Sequence, residues 1–231
     1  MLLAASFFWG TTFVAQILGM EGLGPYTYAA FRFALGVIFM GGLWFLYRGK
    51  RAAERRAGTF RSGFRAGIPV GVAMFAGVTL QQVALLYTTA GKTAFITTLY
   101  IVLVPLAAVA LGHRIRMAQW ISAVLAFAGV YFLSAYGEMT INKGDVLVFI
   151  CSLFWMAQIL LIDRFARTVD AIELCLTEMI VCMSGSAALA AAYESFAWTD
   201  VWSAVIPILY AGVFSCGVAY TCQILGQAYV E

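Results

Sequence analysis

Apolar stretches of about twenty residues recur along nearly the whole chain, and no other feature limits its fold so strongly. A helix needs about 20 apolar residues to cross the ~30 Å hydrocarbon core of a bilayer. Eight such stretches predict helices at about 1–18, 26–47, 67–88, 93–112, 117–136, 146–162, 172–192 and 203–229. A membrane barrel would instead show shorter segments that alternate apolar and polar residues. Composition agrees. Of 231 residues, 63% are hydrophobic and 11% are charged, against roughly 45–50% and about 25% in an ordinary soluble domain. The expected class is an all-α polytopic membrane protein of about eight transmembrane helices, with the lipid bilayer as its solvent.

Basic residues set the expected orientation. Arg48, Lys50, Arg51, Arg55, Arg56, Arg61 and Arg65 follow the second stretch, Arg114 and Arg116 the fourth, and Arg164 and Arg167 the sixth. The opposite loops hold only Lys92 and Lys143, and Arg32 lies inside a stretch. Basic loops remain cytoplasmic, so the amino terminus is expected in the cytoplasm and the protein in the cell (inner) membrane. The basic loop after the second stretch could also serve as a lipid-headgroup patch. Residues 1–18 lack the basic start and the cleavage site of a signal peptide.

The sequence carries an internal repeat. Ser6-Phe7-Phe8-Trp9 returns 146 residues later as Ser152-Leu153-Phe154-Trp155. The same offset maps the second stretch onto the seventh, giving a first repeat at 1–136 and a second from 145 to 231. Five helices per repeat turn the second copy upside down, an arrangement common among carriers. The fourth and fifth helices should then have partners near 239–258 and 263–282, past Glu231. The expectation is a truncated chain with eight helices of ten.

Certain residues resemble a known family. Trp9-Gly10, Pro25 with Arg32, the run Tyr87-Thr88-Thr89-Ala90-Gly91-Lys92-Thr93-Ala94-Phe95 continuing to Pro105, and Gly144-Asp145 with Trp155 are similar to the EamA-type branch of the drug/metabolite transporter superfamily. The resemblance covers nearly the whole chain. It implies a ten-helix carrier of two inverted repeats around a central cavity, moving amino acids or similar metabolites, or drugs, by alternating access.

Candidate pathway residues follow from chemistry. Ionisable groups inside a membrane are expensive and mark function by default. Arg32 and Glu178 are the two read inside helices, and the 146-residue offset relates them. Entering from opposite faces, they should lie roughly 10 Å apart along the membrane normal. Arg32 is expected to snorkel outward or bind helix-end carbonyls, a structural role. Glu178 is the candidate for coupling transport to protons; the alternative is a solvated carboxylate at the cytoplasmic rim, satisfied by Arg164 or Arg167. Trp9, Thr12, Phe13 and Gln16 share one helix face, with Trp155 and Gln158 a shorter version. An aromatic wall with a few hydrogen-bonding groups suits a small, partly polar ligand, although helix packing accounts for it equally. Gln81, Gln82, Gln223 and Gln227 should face inward, because an unpartnered amide in lipid is costly. Pro105 is expected to interrupt the fourth helix. Lys92 sits at the outer mouth, able either to attract anions or simply to snorkel.

Other chemistries find little support. His113 is a lone loop histidine without ligand partners, and no metal site is expected. Cys151, Cys175, Cys182, Cys216 and Cys222 lie in apolar stretches without paired spacing, so they are read as packing residues. No Gly-x-x-x-x-Gly-Lys phosphate loop occurs, so ATP is not expected as a direct energy source. An intramembrane enzyme would need a nucleophile and base that the spans lack. No catalytic residue, cofactor or nucleic-acid partner is expected. A half-transporter without independent activity is the remaining alternative.

Overall fold

The computed structural model describes residues 1–56, 61–112, 117–134 and 142–227. The loop holding His113, Arg114 and Arg116 lies outside them. The helices are α1 (Leu2–Gly19), α2 (Pro25–Arg56), α3 (Phe64–Ala84), α4 (Ala90–Thr97), α5 (Tyr100–Ala110), α6 (Met117–Ser134), α7 (Lys143–Phe165), α8 (Ala171–Tyr193), α9 (Trp198–Ser203), α10 (Val205–Tyr210) and α11 (Tyr220–Gln227). A π-helical stretch, Ala211–Ala219, joins α10 to α11 without a break. Among the described residues there is no strand; Arg61 and Val169 make one isolated bridge.

Seven segments among the described residues are long and apolar enough to cross a membrane: Leu2–Gly19, Pro25–Tyr47, Phe64–Ala84, Ala90–Ala110, Lys143–Phe165, Ala171–Tyr193 and Val205–Gln227. The remaining expected helix, the fifth at 117–136, is α6, 18 residues long. Leu3, Phe7 and Val14 of α1 are at least 60% exposed. In water such a face would be a large penalty; in lipid it costs nothing. The chain is a multi-pass membrane protein.

The fourth expected helix differs from its prediction. It breaks at Thr98–Leu99 and not at Pro105, which sits inside α5. Pro105 removes the bond that Ile101 carbonyl would accept, and its ring crowds that carbonyl. The preceding turn tightens in response. Leu99 N–H donates to Ile96 O (3.1 Å), Ile101 N–H to Thr98 O (2.9 Å) and Val102 N–H to Leu99 O (2.9 Å), the i→i−3 pattern of a 3₁₀ turn.

The chain divides into two compact units, residues 1–75 with 161–231, and residues 76–160. In the first, α2 packs along α8 and the π-helical stretch, while α1 packs on α10, the π stretch and α11. Gly63, Gly67 and Gly71 recur every four residues and bring the start of α3 onto α8. A Cβ at Gly67 would lie 2.5 Å from Thr177 Cβ and 2.8 Å from Leu174 O; one at Gly71 would lie 2.9 Å from Val181 Cβ. Small residues at this spacing permit close helix contact in membranes. Leu23, Tyr28, Ala204, Ile208 and Ala211 form a core cluster in this unit. In the second unit α6 packs on α4 and α5.

Two carboxylates of the α8 region cap other helices. Pro25 opens α2, where its missing N–H is no loss, and Glu194 accepts from Tyr26 N–H (3.0 Å), Thr27 N–H (2.7 Å) and Thr27 Oγ1 (2.7 Å). At the other end of α8, Glu173 accepts from Gly63 N–H at the start of α3 (3.1 Å). Arg61 N–H donates to Thr168 O and Asp170 N–H to Arg61 O, both at 2.9 Å. Segments 61–63 and 168–170 therefore meet at one end of the α2–α8 pair, and 24–27 and 194 at the other. Glu194→Ala is expected to cost about 1 kcal/mol, the usual value of a lost cap, read as a lower thermal midpoint in detergent. Glu194→Gln should lose less.

Candidate functional site

The first unit collects most of the proposed pathway residues. On α1, Thr12 and Gln16 are buried and Trp9 is half-buried. Trp9 meets Tyr220 of α11 edge-on, ring centroids 5.1 Å apart. Thr12 Oγ1 donates to Phe8 O at 2.6 Å, so that hydroxyl is engaged by its own helix. One residue earlier, the Thr11 and Tyr210 hydroxyls lie 2.6 Å apart, and Phe8 stacks on Phe214. These contacts hold α1 against α10 and the π stretch. Gln16 Oε1 and Trp9 Nε1 are buried without a hydrogen-bond partner among the described residues.

Arg32, Glu178 and Gln223 are buried in the same unit, Glu178 with no exposed surface. Arg32 is buried, 4% exposed. Its guanidinium lies over the rings of Phe33 (4.8 Å) and Tyr28 (5.8 Å), and its Nε has no hydrogen-bond partner among the described residues. Aromatic faces can stabilise a cation by about 1–2 kcal/mol when desolvated. Glu178 is likewise not a solvated rim carboxylate, because close packing of α2 and α3 on α8 covers it; the Glu178 Cα lies 3.1 Å from where a Cβ on Gly71 would be. Cys182 and Tyr220 are within electrostatic reach of both Arg32 and Glu178.

The π-helical stretch runs through this cluster. Cys216 Cβ lies 2.8 Å from the site of a Cβ on Gly36, and Gly212 approaches Arg32 O. Wide π turns recur at functional sites because they redirect side chains within a helix. Its presence has no signature in apolar periodicity.

The second unit holds Gln82, Trp155, Gln158 and Pro105. Gln82 and Gln158 are fully buried. Gln81 donates to Thr97 Oγ1 at 3.1 Å, one residue before the helix break. Trp155 packs close to Gly77. Lys92 pairs with Asp145 at 3.7 Å, and Asp145 also accepts from Thr88 Oγ1 (2.6 Å) and Asn142 N–H (3.1 Å). The lysine read as an outer-mouth cation is thus paired with Asp145, at the start of α7. At 26% exposure for Lys92, Lys92→Ala is expected to cost under about 1 kcal/mol, as rim ion pairs do. Asp145→Ala should cost more, since it also strands the Thr88 hydroxyl and Asn142 N–H.

Glu173 was not among the candidate residues. It is fully buried and accepts from Ser62 Oγ (3.0 Å), Gly63 N–H (3.1 Å) and Trp44 Nε1 (3.3 Å). All five cysteines are free thiols and four are buried, which suits packing. Among the described residues no cluster of three or more His, Cys, Asp or Glu could hold a metal.

These features define a polytopic helical membrane protein with charged and amide side chains buried inside its spans. Residues 1–135 match the EamA-like transporter family, and the chain belongs to that family. A protein of Archaeoglobus fulgidus described as an uncharacterized transporter is 34% identical over 160 residues, which are 69% of this chain and 46% of that protein. The chain spans about half the length of this curated relative. A protein of known crystal structure, 18% identical, superposes with a TM-score of 0.76 over 99% of this chain and 78% of its own; at that identity the likeness concerns the fold alone.

Proposed function

We propose that the protein is a secondary carrier of small metabolites, amino acids or related compounds, working by alternating access between two inverted repeats. The observation that carries the reading is the pair Arg32 and Glu178, buried in membrane spans and related by the repeat offset. Burying such groups is costly, so an ionisable side chain inside a span points to a function that offsets the cost. Family membership and the description of the Archaeoglobus relative point the same way. Trp9, Gln16 and Gln223 in one unit, and Gln82, Trp155 and Gln158 in the other, are the proposed pathway side chains. The protein would sit in the inner membrane with a cytoplasmic amino terminus.

Glu178 is the proposed proton-coupling group. In proteoliposomes, uptake of radiolabelled amino acids is expected to vary with pH for the parent chain and to lose that variation in Glu178→Gln. A pH profile that survives the substitution rejects the coupling role. The relative's greater length favours a second reading, that residues 1–231 act only within a longer carrier. Uptake by 1–231 beside a carboxy-terminally extended chain separates the two.

A further inference from the structure

The segment between α8 and α10 gathers large aromatic side chains at the surface. Tyr193 is 76% exposed, Phe196 44%, Trp198 67% and Trp202 72%. It joins the end of one span, Tyr193, to the start of the next, Val205. Its own helix, α9, has six residues and is about 9 Å long, far too short to cross a bilayer. The segment is nonetheless fixed. Phe196 and Trp198 pack edge-on at 5.7 Å, and Phe31 of α2 closes the cluster at 5.7 Å from Phe196 and 6.2 Å from Trp198. Phe31 stands six residues into α2, roughly 9 Å below its start. Phe196 and Trp198 therefore fold back beside the start of α2.

The charges nearby are engaged elsewhere. Glu194 caps α2, and Asp200 accepts from Ala197 N–H at 3.0 Å. No Lys or Arg occurs between Arg167 and Glu231, so the segment itself supplies no basic group for an anionic headgroup. We infer that residues 193–202 form an aromatic ledge docked in the headgroup–acyl boundary, held by its Trp and Tyr rings and indifferent to lipid charge. Amphipathic rings favour this zone, and the ledge is continuous with the lipid-facing ends of α8 and α10.

The test uses the full chain in phosphatidylcholine vesicles whose lipids carry bromine either near the headgroup or near the chain ends. Emission from the ledge is the part lost in Trp198→Phe/Trp202→Phe. It should be quenched more by shallow than by deep bromine, weakly by aqueous iodide, and equally when anionic lipid replaces part of the phosphatidylcholine. Stronger quenching by deep bromine, or by iodide than by either lipid, overturns the inference. Protection from all quenchers also overturns it, since a protein surface such as a second copy would then cover the rings. Should the double variant fail to fold, Trp198→Phe and Trp202→Phe taken singly give the same readout.

Discussion

Glu173→Ala is expected to destabilise the protein by about 3 kcal/mol, seen as a lower thermal midpoint in detergent. The carboxylate is buried and accepts bonds from α2 through Trp44 and from the start of α3 through Ser62 and Gly63. Ser62 is exposed and can turn to water. Gly63 N–H is buried and cannot; a buried donor left alone costs roughly 1–3 kcal/mol, and emptying the buried carboxylate site adds to that. Asp170 N-caps α8 through bonds to Ile172 and Glu173 N–H, so α8 itself should persist. What loosens is the junction of α2, α3 and α8. Glu173→Gln keeps an acceptor oxygen and should lose less than half as much. Equal midpoints for the alanine and glutamine variants would show that the carboxylate does not hold this junction.

Gly67→Leu should be more damaging still. Any side chain there begins 2.5 Å from Thr177 Cβ and 2.8 Å from Leu174 O. Those atoms belong to the α8 backbone or lie next to it, so no rotamer change relieves the clash. Overpacking typically costs 1–3 kcal/mol even where side chains can yield; here α3 must separate from α8, and about 3 kcal/mol or more is expected. Gly67→Ala should already lose a large share. Gly41→Ala provides the contrast, because nothing lies within 4 Å of its Cβ position, and removing a helical glycine there should be neutral or stabilising by up to about 1 kcal/mol. Folded yield and thermal midpoint of the three variants measure the difference directly.

The helices were legible because lipid imposes length and apolarity on every span. The ends of α1 and α7, Gly19 and Phe165, and the starts of α2 and α8, Pro25 and Ala171, are each separated by the 146 residues that relate the two Ser-x-Phe-Trp segments. What escaped depends on distant partners. Glu173 drew no reading at all, because its burial comes from Trp44 and Gly63, 129 and 110 residues away. A clue did exist: Gly63, Gly67 and Gly71 at four-residue spacing mark a close helix contact, though not its partner. Pro105 announced a weak point in the fourth helix, but the tightened turn falls upstream at Thr98–Leu99. Lys92 gave no sign of Asp145 in its own surroundings. For Arg32, local sequence suggests an escape route to the interface, whereas the rings of Phe33 and Tyr28 cover it.

The account stands on oily segments that cross the bilayer in alternation, the later ones inverted relative to the earlier. Single cysteines at Glu21, Arg65, Lys143 and Arg167, placed in a chain whose five native cysteines are replaced, test this in intact cells with a membrane-impermeant maleimide. Cysteines at 21 and 143 should label from outside, and those at 65 and 167 only after the membrane is opened. Labelling of positions 65 and 143 from the same side would contradict the alternation, and the carrier reading would fall with it.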